Sequence, residues 1–128
     1  MPKPSASPPE GKRAALQPAF GKLLSAAAGL PGVVEATSYG TPSLQVGRKF
    51  LCRVKDPATI VLMCPLGEKE MLLEAAPDIF FETDHYRGWP AILVRIERIA
   101  PDELRHRLRR AYLMQAPAKL AKQLEGDR

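Results

Sequence analysis

The chain has 128 residues, 45% hydrophobic and 26% charged, with 19 Lys and Arg against 14 Asp and Glu for a formal net charge of +5. That is the composition of one ordinary globular domain, long enough to bury a core without disulfide or metal support. It excludes a bilayer-crossing helix, because no apolar run approaches the ~20 residues required, and the start M-P-K-P-S-A-S-P-P-E-G-K-R lacks the apolar centre of a secretory signal.

A cytoplasmic location is therefore the expectation. Residues 1–13 read as a disordered Pro/Ser leader and residues 14–128 as a single domain. The positive charge is uneven: residues 95–110 carry six arginines against three acids, while residues 14–94 are close to neutral.

A first helix is expected from about Leu16 to Ala28, with Leu16, Phe20, Leu23, Leu24 and Ala27 as its apolar stripe and Pro18 in its first turn. Gly29 and Pro31-Gly32 stop it. Val33 to Ser38 reads as a strand and Tyr39-Gly40-Thr41-Pro42 as a turn. Ser43 to Val46 and Arg48 to Lys55 form a hairpin across Gly47, and Thr59 to Cys64 adds a strand after the Asp56-Pro57 turn. Strict alternation places Phe50, Cys52 and Val54 on one face of the hairpin strand and Leu51, Arg53 and Lys55 on the other.

A second helix follows from Glu68 to Ala76, facing Met71, Leu72 and Ala75 inward. Ile79 to Thr83 reads as a short edge strand, then a loop over 84–90, then a last strand from Ala91 to Ile96. A third helix runs from Pro101 to about Gln115 with Leu104, Leu108, Ala111 and Tyr112 buried, and Ala118 to Leu124 adds a short one. Helices on one face of an antiparallel sheet of about five strands make a two-layer α+β sandwich.

Three sets of residues carry possible chemistry. Arg95, Arg98, Arg105 and Arg109 belong to the arginine-rich region, and guanidinium forks suit phosphate; the bland reading is a solvated helix exterior. Arg48, Lys49, Arg53 and Lys55 lie on the hairpin, where they would meet a nucleic-acid backbone or merely guard a strand against edge pairing. Tyr86-Arg87-Gly88-Trp89 holds the only tryptophan, either a stacking surface for a base or a plug seating the loop. Tyr39 would pack on Trp89 or line a pocket. Cys52 and Cys64 read as small buried apolar side chains before a redox or metal pair. His85 and His106 stand in no metal spacing. No catalytic or cofactor fingerprint occurs, so neither enzyme activity nor a cofactor is expected.

The segments L-P-G-V-V-E-A-T-S-Y-G-T-P-S-L-Q-V-G-R-K-F, P-L-G-E-K-E-M-L-L-E-A-A-P-D-I-F-F, Y-R-G-W-P-A-I-L-V-R-I and the ending A-P-A-K-L resemble the MmcQ/YjbR family of small bacterial proteins over about residues 16–120. The resemblance implies a curved antiparallel sheet with helices on one face, similar to CyaY/frataxin, and a DNA-binding role. Pro90 directly after Trp89 departs from the family pattern. The acidic ridge of iron-binding frataxins has no counterpart, since no Asp or Glu lies between Leu16 and Leu30.

The expectation is a binding module of low sequence preference, for DNA or also RNA, through Arg48, Lys49, Arg53, Lys55, Arg87, Trp89, Arg95, Arg98, Arg105 and Arg109. The alternative is a protein- or small-molecule-binding module using the open sheet face, with Leu44, Leu51 and Met63 exposed on it. The first requires that the cations converge on one surface.

Overall fold

Two tight hairpins set the sheet in a computed structural model that describes residues 10–126. Strand β1 (Val33–Ser38) turns through Tyr39-Gly40 into β2 (Thr41–Val46), and β2 turns through Gly47-Arg48 into β3 (Lys49–Asp56). All four turn residues have positive φ, 53° and 77° in the first pair and 57° and 71° in the second. Two-residue turns of that hand match the right-handed twist of the strands they join. Gly47 is also required by space, because a Cβ there would stand 2.8 Å from the Pro117 ring.

The chain continues through β4 (Thr59–Met63), α2 (Leu66–Ala75), β5 (Phe80–Phe81), a single 3-10 turn (Asp84–Tyr86), β6 (Ala91–Arg95), α3 (Pro101–Gln115) and α4 (Ala118–Gly126), with α1 (Glu10–Ala27) before the first strand. The sheet has six antiparallel strands in the order β1-β2-β3-β4-β6-β5, so β3 and β4 are central and the two-residue β5 closes one edge.

The main core lies between this sheet and helices α1 and α3. Leu23, Phe20, Leu104, Leu108 and Tyr112 meet Leu44, Val46, Cys52, Val54, Ile60, Leu62, Ile92 and Val94. Tyr112, wholly buried, donates from its hydroxyl to the Pro31 carbonyl at 2.6 Å, which ties α3 to the turn before β1 and satisfies the one polar atom this ring carries.

Several expectations change. Helix α1 begins at Glu10, inside the stretch assigned to a leader; the rest of that stretch, residues 1–9, lies outside the described residues. Pro18 is therefore interior rather than in the first turn. It is exposed, where water can serve the carbonyl whose helical partner it removes. Leu24 faces solvent, as do Met71 and Ala75 of α2, whose inward residues are Lys69 and Leu72.

The largest change comes from a bulge. Leu44 pairs with Cys52 but Gln45 pairs with Phe50, so Leu51 is an extra residue in β3. Leu51 and Cys52 both enter the helix-side core, and Phe50 moves to the other face beside Arg53. Leu44 and Leu51, expected on the open face, are buried under the helices; Met63 does lie on that face, half-buried. Nor is the open face simply polar: Val61, Ala91 and Leu93 form a second apolar cluster there, rimmed by Phe50, Met63, Phe81 and Tyr86.

Candidate binding cleft on the open sheet face

Arg53 occupies the middle of the open face, opposite Ser43 on β2 and Val61 on β4. It is only 9% exposed. Its Nη1 donates to Thr41 Oγ1 at 3.3 Å and its Nη2 to the Tyr86 hydroxyl at 3.2 Å, while Cζ lies 4.9 Å from the centroid of the Tyr39 ring. No carboxylate forms an ion pair with it among the described residues. A recessed cation is costly without a counter-charge. Two hydroxyls and an aromatic face offset part of that cost and leave the positive charge available. Ser43 Oγ, buried directly across the strand pair, has no hydrogen-bond partner.

Around Arg53 opens a cleft of about 440 Å³, walled by Tyr39, Phe50, Met63, Tyr86, Trp89 and Gln115. Tyr39 is 82% exposed and sits at φ 53°, a conformation that costs a non-glycine residue about 1–2 kcal/mol. The turn thus holds an aromatic ring out of the core, in a backbone region usually left to Gly or Asn. Trp89 is 64% exposed and seats nothing.

What seats the loop is Lys69. It is 2% exposed, and its Nζ donates to the carbonyls of Tyr86 at 2.7 Å and Trp89 at 2.9 Å while pairing with Glu82 at 2.8 Å. Three donors meet three acceptors, so the ammonium is satisfied and the backbone on both sides of Arg87-Gly88 is pinned. Lys69 was not legible as a site residue. The available signal was its place three residues before Leu72, on the inward side of a short helix. Arg87 at the tip of the loop pairs with Asp84 at 2.8 Å.

The other cations do not gather here. Arg95, on the open face of β6, lays its guanidinium over Phe81 at 4.1 Å and has a buried Nη1 without a partner. Lys55, the extra residue of a second bulge in β3, and Arg98, just past β6, are exposed at the same end of the sheet as Arg95, which pairs with Thr59. Arg48 and Lys49 are exposed at the opposite hairpin tip.

Arg105 and Arg109 are on α3, in the helix layer across the sheet, where Arg105 pairs with Asp102 at 3.0 Å. Arg107 and Arg110 are paired as well, while Arg109 forms no ion pair among the described residues: Glu68 accepts from Arg110 Nε at 2.9 Å and pairs with Arg107, which also meets Glu103 at 3.1 Å. Arg110's hydrogen bond, with the nearby positive charges, holds the Glu68 carboxyl below the usual carboxylate range. The single cationic surface required for the nucleic-acid expectation is thus divided. Arg53, Arg95 and Trp89 share the open face, with Arg87 at its rim, and the arginines of α3 are elsewhere and interleaved with acids.

Both cysteines are buried and unpaired with each other. Burial drives the Cys52 thiol far above its usual range and pushes Cys64 up to about 11, so neither is a thiolate at neutral pH. Among the described residues no three His, Cys, Asp or Glu side chains are grouped as a metal site, and no helix is long and apolar enough to cross a membrane.

Comparison with known proteins agrees with this architecture. The YjbR family model matches residues 28–114. Uncharacterised proteins of Mycobacterium bovis and Mycobacterium tuberculosis are 41% identical over 54 residues, which is 42% of this chain and 42% of theirs. The match thus spans less than half the length of those relatives. The crystal structure of a Deinococcus radiodurans protein with a DUF419 domain superposes with a TM-score of 0.67 at 19% identity, covering 83% of this chain and 87% of that one; at that identity the likeness concerns the fold.

Proposed function

We propose that this chain, which belongs to the YjbR family, is a non-catalytic module that binds single-stranded nucleic acid along the open face of its sheet with little sequence preference. The observation that carries the reading is Arg53: a recessed guanidinium with no carboxylate ion-paired to it among the described residues, lying under the exposed ring of Tyr39 in a cleft that the exposed ring of Trp89 also lines.

Single strands suit this surface better than duplex. Their bases are free to stack on exposed aromatics, worth about 1–3 kcal/mol per base, and stacking is indifferent to which base is offered. A duplex hides its bases and requires an extended cationic track, whereas the α3 arginines are on the opposite layer, and Arg105, Arg107 and Arg110 among them are engaged with Asp102, Glu68 and Glu103. Arg53 and Arg95 stand two strands and two residues apart, a Cα separation of about 12 Å from strand spacing and rise. They would therefore contact different phosphates.

Neutralising two or three phosphates of a single strand predicts log K falling with log salt at a slope of about −1.4 to −2.1. Titration of fluorescent single-stranded and duplex oligonucleotides of equal length at several ionic strengths measures it. The single strand should bind more tightly, and Arg105→Ala/Arg109→Ala should leave its slope unchanged. Tighter duplex binding at a slope near −4, abolished by that double variant, would overturn the proposal.

A further inference from the structure

Depth restricts what can reach Arg53. Resting on the single-strand reading, we infer that the cleft is selective for a phosphate monoester attached to a nucleoside, meaning the phosphorylated end of a strand or a free nucleotide, over an internal phosphodiester.

Arg53 forms part of the floor of a cleft of about 440 Å³ and exposes only 9% of its surface, and that volume falls in the range typical of pockets for single small ligands, about 300–1,000 Å³. An internal phosphodiester is flanked by a nucleoside on each side, and both must follow its oxygens into the recess. A monoester leads with three free oxygens and one attached nucleoside, and carries up to about two negative charges at neutral pH.

The guanidinium is arranged to receive it. Each terminal nitrogen makes one hydrogen bond, to Thr41 or Tyr86, so each keeps an N–H for a two-pronged contact with phosphate oxygens. The acids flanking the loop are already engaged, Glu82 by Lys69 and Asp84 by Arg87, so neither of these described carboxylates is left free to repel a dianion. Tyr39 and Trp89 at the rim would flank the single nucleoside that remains outside.

The test uses the full chain and four probes: a ten-nucleotide oligothymidylate with hydroxyl ends, the same strand with a 5′-phosphate, the same with a 3′-phosphate, and thymidine 5′-monophosphate. At least one phosphorylated strand should bind about tenfold or more tightly than the hydroxyl strand, as one added charge-assisted contact implies. That gain should disappear in Arg53→Lys, which keeps the charge but loses the fork. Competition by the free nucleotide as effective as that of the phosphorylated strand would support the inference and identify the nucleotide as the ligand. Equal binding of phosphorylated and hydroxyl strands would overturn the inference and leave the single-strand reading intact. A gain that persists in Arg53→Lys and Arg53→Gln would overturn it by placing the phosphate elsewhere, and failure of all four probes to bind would overturn both.

Discussion

The two faces of the sheet use arginine in opposite ways. On the helix side, Arg105, Arg107 and Arg110 each meet a carboxylate from Asp102, Glu103 or Glu68, so a dense run of positive charge is largely cancelled where it is made. On the open side two guanidiniums, Arg53 and Arg95, face hydroxyls and aromatic rings instead. The number of arginines in a segment is thus a poor guide to where a ligand's charge is welcome. What decides is whether an acid, from the same helix or from another element, reaches each guanidinium.

The sharpest way to separate the faces is to release the loop that walls the open one. Lys69→Met removes the cation that joins Glu82 to two loop carbonyls and leaves a partly buried carboxylate alone, at a cost of about 3 kcal/mol. Urea unfolding should register that loss, and Lys69→Met/Glu82→Leu should recover part of it. Full stability in the single variant would mean the clip does not hold the loop.

A smaller effect distinguishes presentation from packing. Tyr39→Asn suits the positive φ but gives up the contact with Arg53, two terms of about 1 kcal/mol with opposite sign. The unfolding midpoint should barely move, while single-strand affinity falls by the worth of a stacked base, about 1–3 kcal/mol. A marked stability loss with unchanged binding would make Tyr39 a structural residue.

The smallest effect belongs to the helix side. Because the folded state holds the Glu68 carboxyl low, its pair contributes above the ordinary glutamate pKa of about 4.3 and is lost as pH falls through the lowered value. Glu68→Gln should therefore cost less than about 1 kcal/mol at neutral pH, and the gap between the two proteins should close in acid. A gap that widens on acidification contradicts the assignment. Nucleic-acid affinity should not change.

Much of the fold was legible because its signals are local. Leu104, Leu108, Ala111 and Tyr112 recur at helical spacing and are the buried stripe of α3; Gly40 and Gly47 mark the two hairpins; Pro101 opens α3 at the expected residue. The faces of β3 were not legible, since the extra residue Leu51 is imposed by pairing with β2 and alternation alone assigns Phe50 and Leu51 the wrong way round. Met71 and Ala75 failed for a similar reason: α2 is short, and the side it buries is chosen by the loop that Lys69 holds.

By itself, then, the amino-acid order determined an α+β domain, its helices and hairpins, and the kind of side chain available to meet a phosphate. Only the tertiary structure decided which arginines keep their charge for a ligand. Asp102 and Glu103 screen Arg105 and Arg107 locally, but Arg110 is screened by Glu68, 42 residues away, which also lies 39 residues from Arg107, and no local pattern reports a pairing over that span. Arg53 escapes because the sheet brings it Thr41, Tyr86 and Tyr39 instead of a carboxylate.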